Sequence, residues 1–157
     1  MNEMTRTPWT IDATRLRDPG WLHWAATAPL LAAHVAGVGG AIEAAMGLCL
    51  IAAGGQYVVH DSARAMPVQV RLAFLALLAV GLAPGMWWMH WSQLAGTSAM
   101  VIVGYCPLVR MLTLLPWNRR ETLTRAFACR VFAAAPTGGL LVPPRPLAPV
   151  EPLLHRC

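Results

Sequence analysis

The segment from Leu72 to Val109 contains no Asp, Glu, Lys or Arg, and it constrains the fold more than any other feature. As one α-helix, its 38 residues would extend about 57 Å. The hydrocarbon core of a bilayer is only about 30 Å thick. We therefore expect two helices joined by a turn, and Pro84-Gly85 is the strongest turn signal in the segment.

Composition indicates the surroundings of these helices. Hydrophobic residues make up 57% of the 157-residue chain and charged residues 12%, whereas about 25% are charged in an ordinary soluble domain. A soluble fold of this size buries only about two-thirds of the surface that its unfolded chain exposes. The composition therefore excludes a free soluble enzyme and intrinsic disorder, and it predicts that much of the chain contacts lipid.

A second apolar segment, from Trp21 to His60, contains one formally charged residue, Glu43. We place Glu43 in a turn, because an acidic side chain costs about 2.5–3.5 kcal/mol at the centre of a membrane. The prediction is an all-α fold, a polytopic membrane helical bundle of about four transmembrane helices in two hairpins. Within a transmembrane domain at 21–112, the predicted spans are 21–40, 44–60, 69–85 and 88–109.

All twelve basic residues are arginines, and the formal net charge is +5. They flank the apolar segments instead of forming one stripe, which argues against a nucleic-acid partner. With four spans, the arginine-bearing segments all fall on one side, as the positive-inside bias requires. The sequence therefore predicts a multi-pass protein of a bacterial inner (cytoplasmic) membrane with both termini cytoplasmic. Residues 1–20 would be a cytoplasmic N-terminal segment without a signal peptide.

The C-terminal part has a different character. Residues 113–135 alternate basic and apolar side chains at near-helical spacing, which predicts a cytoplasmic amphipathic helix on an anionic lipid surface. Residues 136–157 are rich in proline and predict an extended tail. The arginines expected to contact membrane lipid are Arg119, Arg120, Arg125 and Arg130.

Two pairs of residues are candidates for chemistry. His34 lies inside a predicted span and His90 follows a tryptophan cluster, so either imidazole is a candidate ligand for a haem, a pigment or a metal. The alternative is a histidine hydrogen-bonded to a neighbouring helix or placed at headgroup level. Cys49 and Cys106 are candidate thiols for persulfide or soft-metal handling, or simply small apolar side chains. The cofactor, if any, stays unknown.

Small residues recur at three- and four-residue spacing in the first apolar segment. Such faces let helices approach closely in lipid, either within a packed bundle or in docking to another membrane subunit. The residues assigned to this packing are Gly37, Gly40, Gly47 and Gly54. No catalytic arrangement or spaced metal-ligand set is visible. The sequence therefore predicts a non-enzymatic auxiliary or assembly subunit that docks onto a larger membrane complex, with membrane cofactor binding and thiol chemistry as alternatives.

Two stretches resemble a known family. The segment from Gly39 to Gly54 is similar to the opening helix of the YgaP-type inner-membrane family, which consists of small two-helix domains of unknown function, sometimes fused to a rhodanese domain. Gly104-Tyr105-Cys106-Pro107-Leu108 matches the Gly-aromatic-Cys-Pro-Leu part of its second signature, and Val109 replaces the final Tyr. The extra apolar segment at 72–83 and the Pro-rich tail depart from the family. The resemblance implies that Cys106 handles a thiol or persulfide at the cytoplasmic interface.

Overall fold

The structure, a computed structural model, describes residues 10–119, 121–136 and 139–142. These residues are mostly helical, which confirms the all-α class. A short 3₁₀ helix at Ala13–Arg17 precedes the first α-helix, and strands β1 (Thr10–Ile11) and β2 (Leu141–Val142) form one small antiparallel pair. The α-helices of the described residues are α1 (Pro19–Val35), α2 (Ala41–His60), α3 (Met66–Gly81), α4 (Trp88–Val103), α5 (Pro107–Thr113) and α6 (Arg125–Ala133).

Helices α1 to α4 form an antiparallel ring in which α1 packs on α2 and α4, and α3 packs on the same two helices. The centre is filled by buried apolar side chains, with Leu31, Cys49 and Leu78 completely buried. The rings of Trp24 and Phe74 meet edge to face, with their centroids 5.0 Å apart. This contact joins α1 to α3 across the middle of the ring.

The connection between α1 and α2 differs from the prediction. Helix α1 ends at Val35, so residues 36–40 form the turn instead of the end of a span at 21–40. Gly37 and Gly40 adopt φ angles of 88° and 79°, a left-handed conformation that glycine tolerates best. The placement of Glu43 in the turn is wrong, because α2 begins at Ala41 and Glu43 lies exposed in its first turn. An acidic side chain is favourable there, near the positive end of the helix dipole.

The turn predicted at Pro84-Gly85 is confirmed. These residues lie in the connection between α3 and α4, and Gly85 has a φ of 79°. The continuous span predicted at 88–109 is interrupted, because Gly104 adopts a φ of 74° and ends α4. Helix α5 then starts at Pro107 at an angle of 97° to α4. Proline suits the first position of a helix, where its missing N–H is not needed.

The amphipathic helix predicted over 113–135 is much shorter, because α6 contains only Arg125–Ala133. The Thr124 hydroxyl accepts a hydrogen bond from the Phe127 N–H and caps its start. In the segment between α5 and α6, the side-chain amide of Asn118 exchanges two hydrogen bonds with that of Gln69 on α3. Asn118 donates at an N–O distance of 2.8 Å and Gln69 donates at 3.1 Å. The structure does not describe residues 1–9, Arg120 or the predicted tail beyond residue 142.

Within the described part of the chain, α2 alone is long and apolar enough by itself to cross a membrane. Helices α4 and α5 meet the same criterion only when taken together across their bend, and α3 is a shorter apolar helix.

Candidate functional site

The two candidate histidines are partners. His34, near the end of α1, and His90, near the start of α4, approach to 3.1 Å between Nε2 of His34 and Nδ1 of His90. His90 is buried and His34 is half-buried. His90 Nε2 lies 3.1 Å from the Leu78 carbonyl oxygen near the end of α3. The pair therefore links three helices at the end of the bundle that holds the α1–α2 and α3–α4 turns.

The chemistry of the partners fixes the direction of these hydrogen bonds. A carbonyl oxygen only accepts, so His90 donates from Nε2. A neutral His90 then accepts at Nδ1, and His34 donates from Nε2. The Leu78 carbonyl is open to this contact because the Leu82 N–H donates to Ala79 instead.

This network bears on the cofactor hypothesis. Both ring nitrogens of His90 are already engaged, so a metal or pigment at His90 would have to break one of the two bonds. The nitrogen of the pair that neither bond uses is Nδ1 of His34. The described residues include no group of three or more His, Cys, Asp or Glu side chains arranged to hold a metal ion.

His23 and His90, which both lie beside tryptophans in the sequence, are buried among the helices. His23 lies in the core beside Cys49, with 3.8 Å between its Nε2 and the Cys49 sulfur. The second candidate thiol, Cys106, is half-buried at the break between α4 and α5. It lines a cavity, whereas Cys49 is completely buried.

We expect a maleimide reagent to modify Cys106 in the folded protein and to spare Cys49 until the protein unfolds. The reason is access, because no part of Cys49 is exposed and Cys106 borders open space. The measurement is the alkylation rate, followed by mass spectrometry, in two variants that each retain one of these cysteines and carry Ala at the others. Comparable rates for the two thiols in the folded state would contradict the packing around Cys49.

The assigned packing glycines do not pack inside the bundle. Gly37 and Gly40 lie in the α1–α2 turn, and Gly47 and Gly54 are exposed on the outer side of α2. Apart from its chain neighbours and the backbone of its own helix, a Cβ atom added at any of the four would have no described atom within 4 Å. These glycines therefore do not close the helices of this chain on one another. Docking of this face onto another membrane subunit, the other role that their spacing predicts, stays a prediction, and Gly47 and Gly54 face outward.

The arginines assigned to the lipid surface differ in their surroundings. Arg125 and Arg130 are exposed on α6, and Arg130 pairs with the exposed Glu121. Arg119 is half-buried after α5.

Two buried arginines were not singled out from the sequence. Arg110 on α5 donates hydrogen bonds from both terminal nitrogens to four carbonyls, those of Val131, Phe132, Ala134 and Ala135. Its guanidinium also lies 4.2 Å from the centroid of the Tyr105 ring. Arg110 thus holds the C-terminal end of α6, where a positive charge is favourable.

Arg71, in the second turn of α3, is the other buried arginine, with 6% of its surface exposed. Its guanidinium carbon lies 5.8 Å from the centroid of the Trp24 ring. Its Nη1 donates to the Pro67 carbonyl at 2.8 Å. The sequence did contain a signal, because Arg71 is in helical register with Val68, Phe74 and Leu78, which are all buried.

Arg71 and Arg110 both line a cavity of about 620 Å³ at the end of the bundle opposite the two histidines. Near the start of α1, Arg15 and Asp18 also line it, and Arg15 lies 3.7 and 3.8 Å from the carboxylates of Asp12 and Asp18. The Thr14 hydroxyl and backbone N–H both donate to Asp12 and hold the pKa of that carboxyl below its ordinary value. This cavity therefore lies at the arginine-bearing end of the bundle.

A comparison of the chain with protein-family models, curated proteins and solved structures finds no match. The resemblance to the YgaP-type family stays a prediction.

Proposed function

We propose that this chain is a non-enzymatic integral membrane protein that docks, as an auxiliary or assembly subunit, onto a larger membrane complex. In this proposal α1 to α4 cross a bacterial inner membrane as two hairpins. The outer face of α2 contacts a helix of the partner. The observation that carries the proposal is the row of exposed small residues on that face, which pack against no other helix of the described chain.

The exposed surface of α2 supports the membrane placement. Large apolar side chains on this helix have half or more of their surface exposed, among them Leu50 (59%), Ile51 (75%), Val58 (79%) and Val59 (73%). A continuous apolar surface of this kind is unfavourable in water and marks a membrane or protein contact. Lipid and a partner helix are the two environments in which it is stable.

The small residues support docking. Ala44, Gly47, Gly54 and Gly55 are all exposed, at spacings that place them along one side of α2. At the three glycines a Cβ atom would have no described atom within 4 Å. In lipid, where helices gain nothing from hydrophobic exclusion, such a surface lets a second backbone approach closely.

The distribution of arginines supports the proposed orientation. The chain enters α1, passes from α2 to α3 and leaves α4 at the same end of the antiparallel ring, and these three places carry Arg15 and Arg17, Arg64 and Arg71, and Arg110. The α1–α2 and α3–α4 turns at the opposite end carry no arginine. In inner-membrane proteins, the side that carries the excess of arginine and lysine is the cytoplasmic side.

The membrane placement is tested by extraction and labelling. We expect the chain to stay with the membrane fraction after alkaline carbonate treatment. Single-cysteine variants Ser62→Cys and Met86→Cys should be labelled by a membrane-impermeant maleimide from opposite faces of the membrane. Release into the soluble fraction, or labelling of both positions from one face, would contradict the four-span arrangement.

Docking is tested by changing the outer face of α2. The double substitution Gly47→Leu and Gly54→Leu should abolish co-purification of the partner from native membranes through a tag on this chain. The space at both positions is open, so the bundle itself should keep its helix content and thermal stability. The matched control is Ala76→Leu with Ala79→Leu, two exposed small residues on α3, which should retain the partner. Equal retention by both double variants, or a chain that purifies alone, would contradict the proposal.

A further inference from the structure

The cavity between the starts of α1 and α3 and the ends of α4 and α6 is large for a bundle of this size. Its volume is about 620 Å³, within the range of about 300–1,000 Å³ that is usual for small-molecule sites. One water molecule accounts for about 30 Å³ of liquid, so the space exceeds what a few structural waters require. It is therefore large enough to be a binding site.

The hydrogen bonds of Arg71 indicate what this cavity binds. A guanidinium group carries five N–H donors, and one of them, on Nη1, reaches the Pro67 carbonyl. Its Nε has no hydrogen-bond partner among the residues that the structure describes. A charged group that is 94% buried is costly unless its charge and its donors are compensated. An oxyanion in the cavity, which Arg71 lines, would compensate the charge.

The remaining charges around the cavity favour an anion. Arg15, Arg71 and Arg110 line it together with a single acidic residue of the described lining, Asp18. Arg110 is engaged by the carbonyls at the end of α6, and the Asp18 carboxylate accepts from the Gly20 N–H at the start of α1. Arg71 is thus the buried cation with donors to spare, in a cavity of net positive charge.

Most of the rest of the wall is apolar. Trp21, Trp24, Val70, Met100 and Val109 border the same space. A lining with one charged end and one apolar wall fits an amphiphile better than it fits an inorganic ion alone. The planar guanidinium fork matches phosphate oxygens, which accept two parallel hydrogen bonds.

We propose that this cavity binds the phosphate-ester head of an anionic amphiphile, with the Arg71 guanidinium as the donor that contacts the phosphate oxygens. The head is either that of a membrane phospholipid or that of a soluble phosphate ester. The phospholipid source rests on the membrane placement proposed above, whereas the phosphate chemistry does not.

The test uses the full chain purified in a mild non-ionic detergent and titrated with three probes, followed by tryptophan fluorescence. Dioctanoyl-phosphatidylglycerol carries the phosphate ester and the acyl chains, dioctanoylglycerol carries the chains alone, and glycerol 3-phosphate carries the phosphate alone. We expect phosphatidylglycerol to bind at least about tenfold more tightly than dioctanoylglycerol, since hydrogen bonds to charged groups contribute that much. Affinity for glycerol 3-phosphate within about threefold of the lipid would identify a soluble ester as the source, and much weaker binding would identify the phospholipid.

The variants locate the site. Arg71→Gln should lose at least about tenfold in affinity for phosphatidylglycerol and keep its affinity for dioctanoylglycerol. The matched control is Arg64→Gln, which removes the same charge from an exposed position outside the cavity and should change affinity less than about threefold. Equal binding of the two lipids by the unaltered chain, or unchanged binding by Arg71→Gln, would overturn the proposal.

A second measurement keeps the proposal testable if Arg71→Gln does not fold. Cys106 lines the same cavity, so bound phosphatidylglycerol should slow its alkylation several-fold in a variant whose other cysteines are Ala. Dioctanoylglycerol should not slow it, and equal protection by both lipids would overturn the proposal. If alkaline carbonate released the chain from the membrane and the purified chain still bound glycerol 3-phosphate, the membrane placement alone would be rejected. Retention in the membrane without preference for the phosphate head would reject this inference alone.

Discussion

Replacing Gly81 with alanine is expected to destabilise the bundle by about 1–3 kcal/mol, the usual cost of adding a methyl group to a filled core. The sign is opposite to the ordinary effect, because Gly→Ala in a helix stabilises it by about 0.5–1 kcal/mol. Gly81 is the last residue of α3 and is buried against His90. A Cβ atom there would collide with the imidazole, lying 2.7 Å from its Cδ2 and 3.0 Å from its Cε1.

The collision is costly because the imidazole has nowhere to go. His90 is held from two sides, by His34 at Nδ1 and by the Leu78 carbonyl at Nε2. Moving the ring would break one or both hydrogen bonds in a buried place, where an unpaired polar group costs about 1–3 kcal/mol. The added methyl group therefore acts on the contact that joins α1, α3 and α4.

Gly47→Ala is the matched control. Gly47 lies inside α2, and a Cβ atom there would have no neighbour among the described residues within 4 Å. This substitution should raise the free energy of unfolding by about 0.5–1 kcal/mol. The measurement is reversible unfolding in mixed detergent micelles, followed by circular dichroism. If Gly81→Ala stabilised the protein as Gly47→Ala does, the packing of α3 on His90 would be wrong.

Hydropathy and turn chemistry predicted the helical class and the Pro84-Gly85 turn because both are local properties of the chain. They did not predict which side of each helix faces inward. Helix α2 has apolar side chains on both its exposed and its buried faces, so its small residues give no direction by themselves. The spacing of Gly47 and Gly54 fitted both a packed bundle and docking to another membrane subunit, and the structure places both residues on the outer side of α2.

The polar contacts of the candidate site could not be predicted from the sequence for another reason. His34 and His90 are 56 residues apart, and nothing in either local sequence marks them as partners. Arg71 was counted among the arginines that flank the apolar segments, because hydropathy treats any arginine as a boundary. Its register with Val68 and Phe74 was the available signal. A single arginine in register with the buried apolar face of a helix therefore indicated a buried cation near the start of α3.

Replacing Arg110 with alanine is expected to release α6 from the bundle. Helix α6 has nine residues, and isolated helices shorter than about 12 residues are marginal in water, so its stability depends on its contacts. Arg110 provides hydrogen bonds to four carbonyls at its C-terminal end and a charge that complements the helix dipole. Tyr105 adds one more, from its hydroxyl to the Phe132 carbonyl at 3.2 Å.

The measurement is amide hydrogen exchange across residues 125–135 in the purified chain. Arg110→Ala should speed exchange there by about tenfold or more, the equivalent of about 1.4 kcal/mol of local stability, and leave exchange in α1 to α4 nearly unchanged. Arg130→Ala removes the same charge from α6 itself, where the side chain is exposed and paired with exposed Glu121, and should change exchange less than about threefold. Because Arg110 acts through fixed hydrogen-bond geometry, Arg110→Lys should fall between the two. If Arg110→Lys behaved as the unaltered chain does, charge alone would anchor α6, and the fork of hydrogen bonds to its last carbonyls would have no separate role.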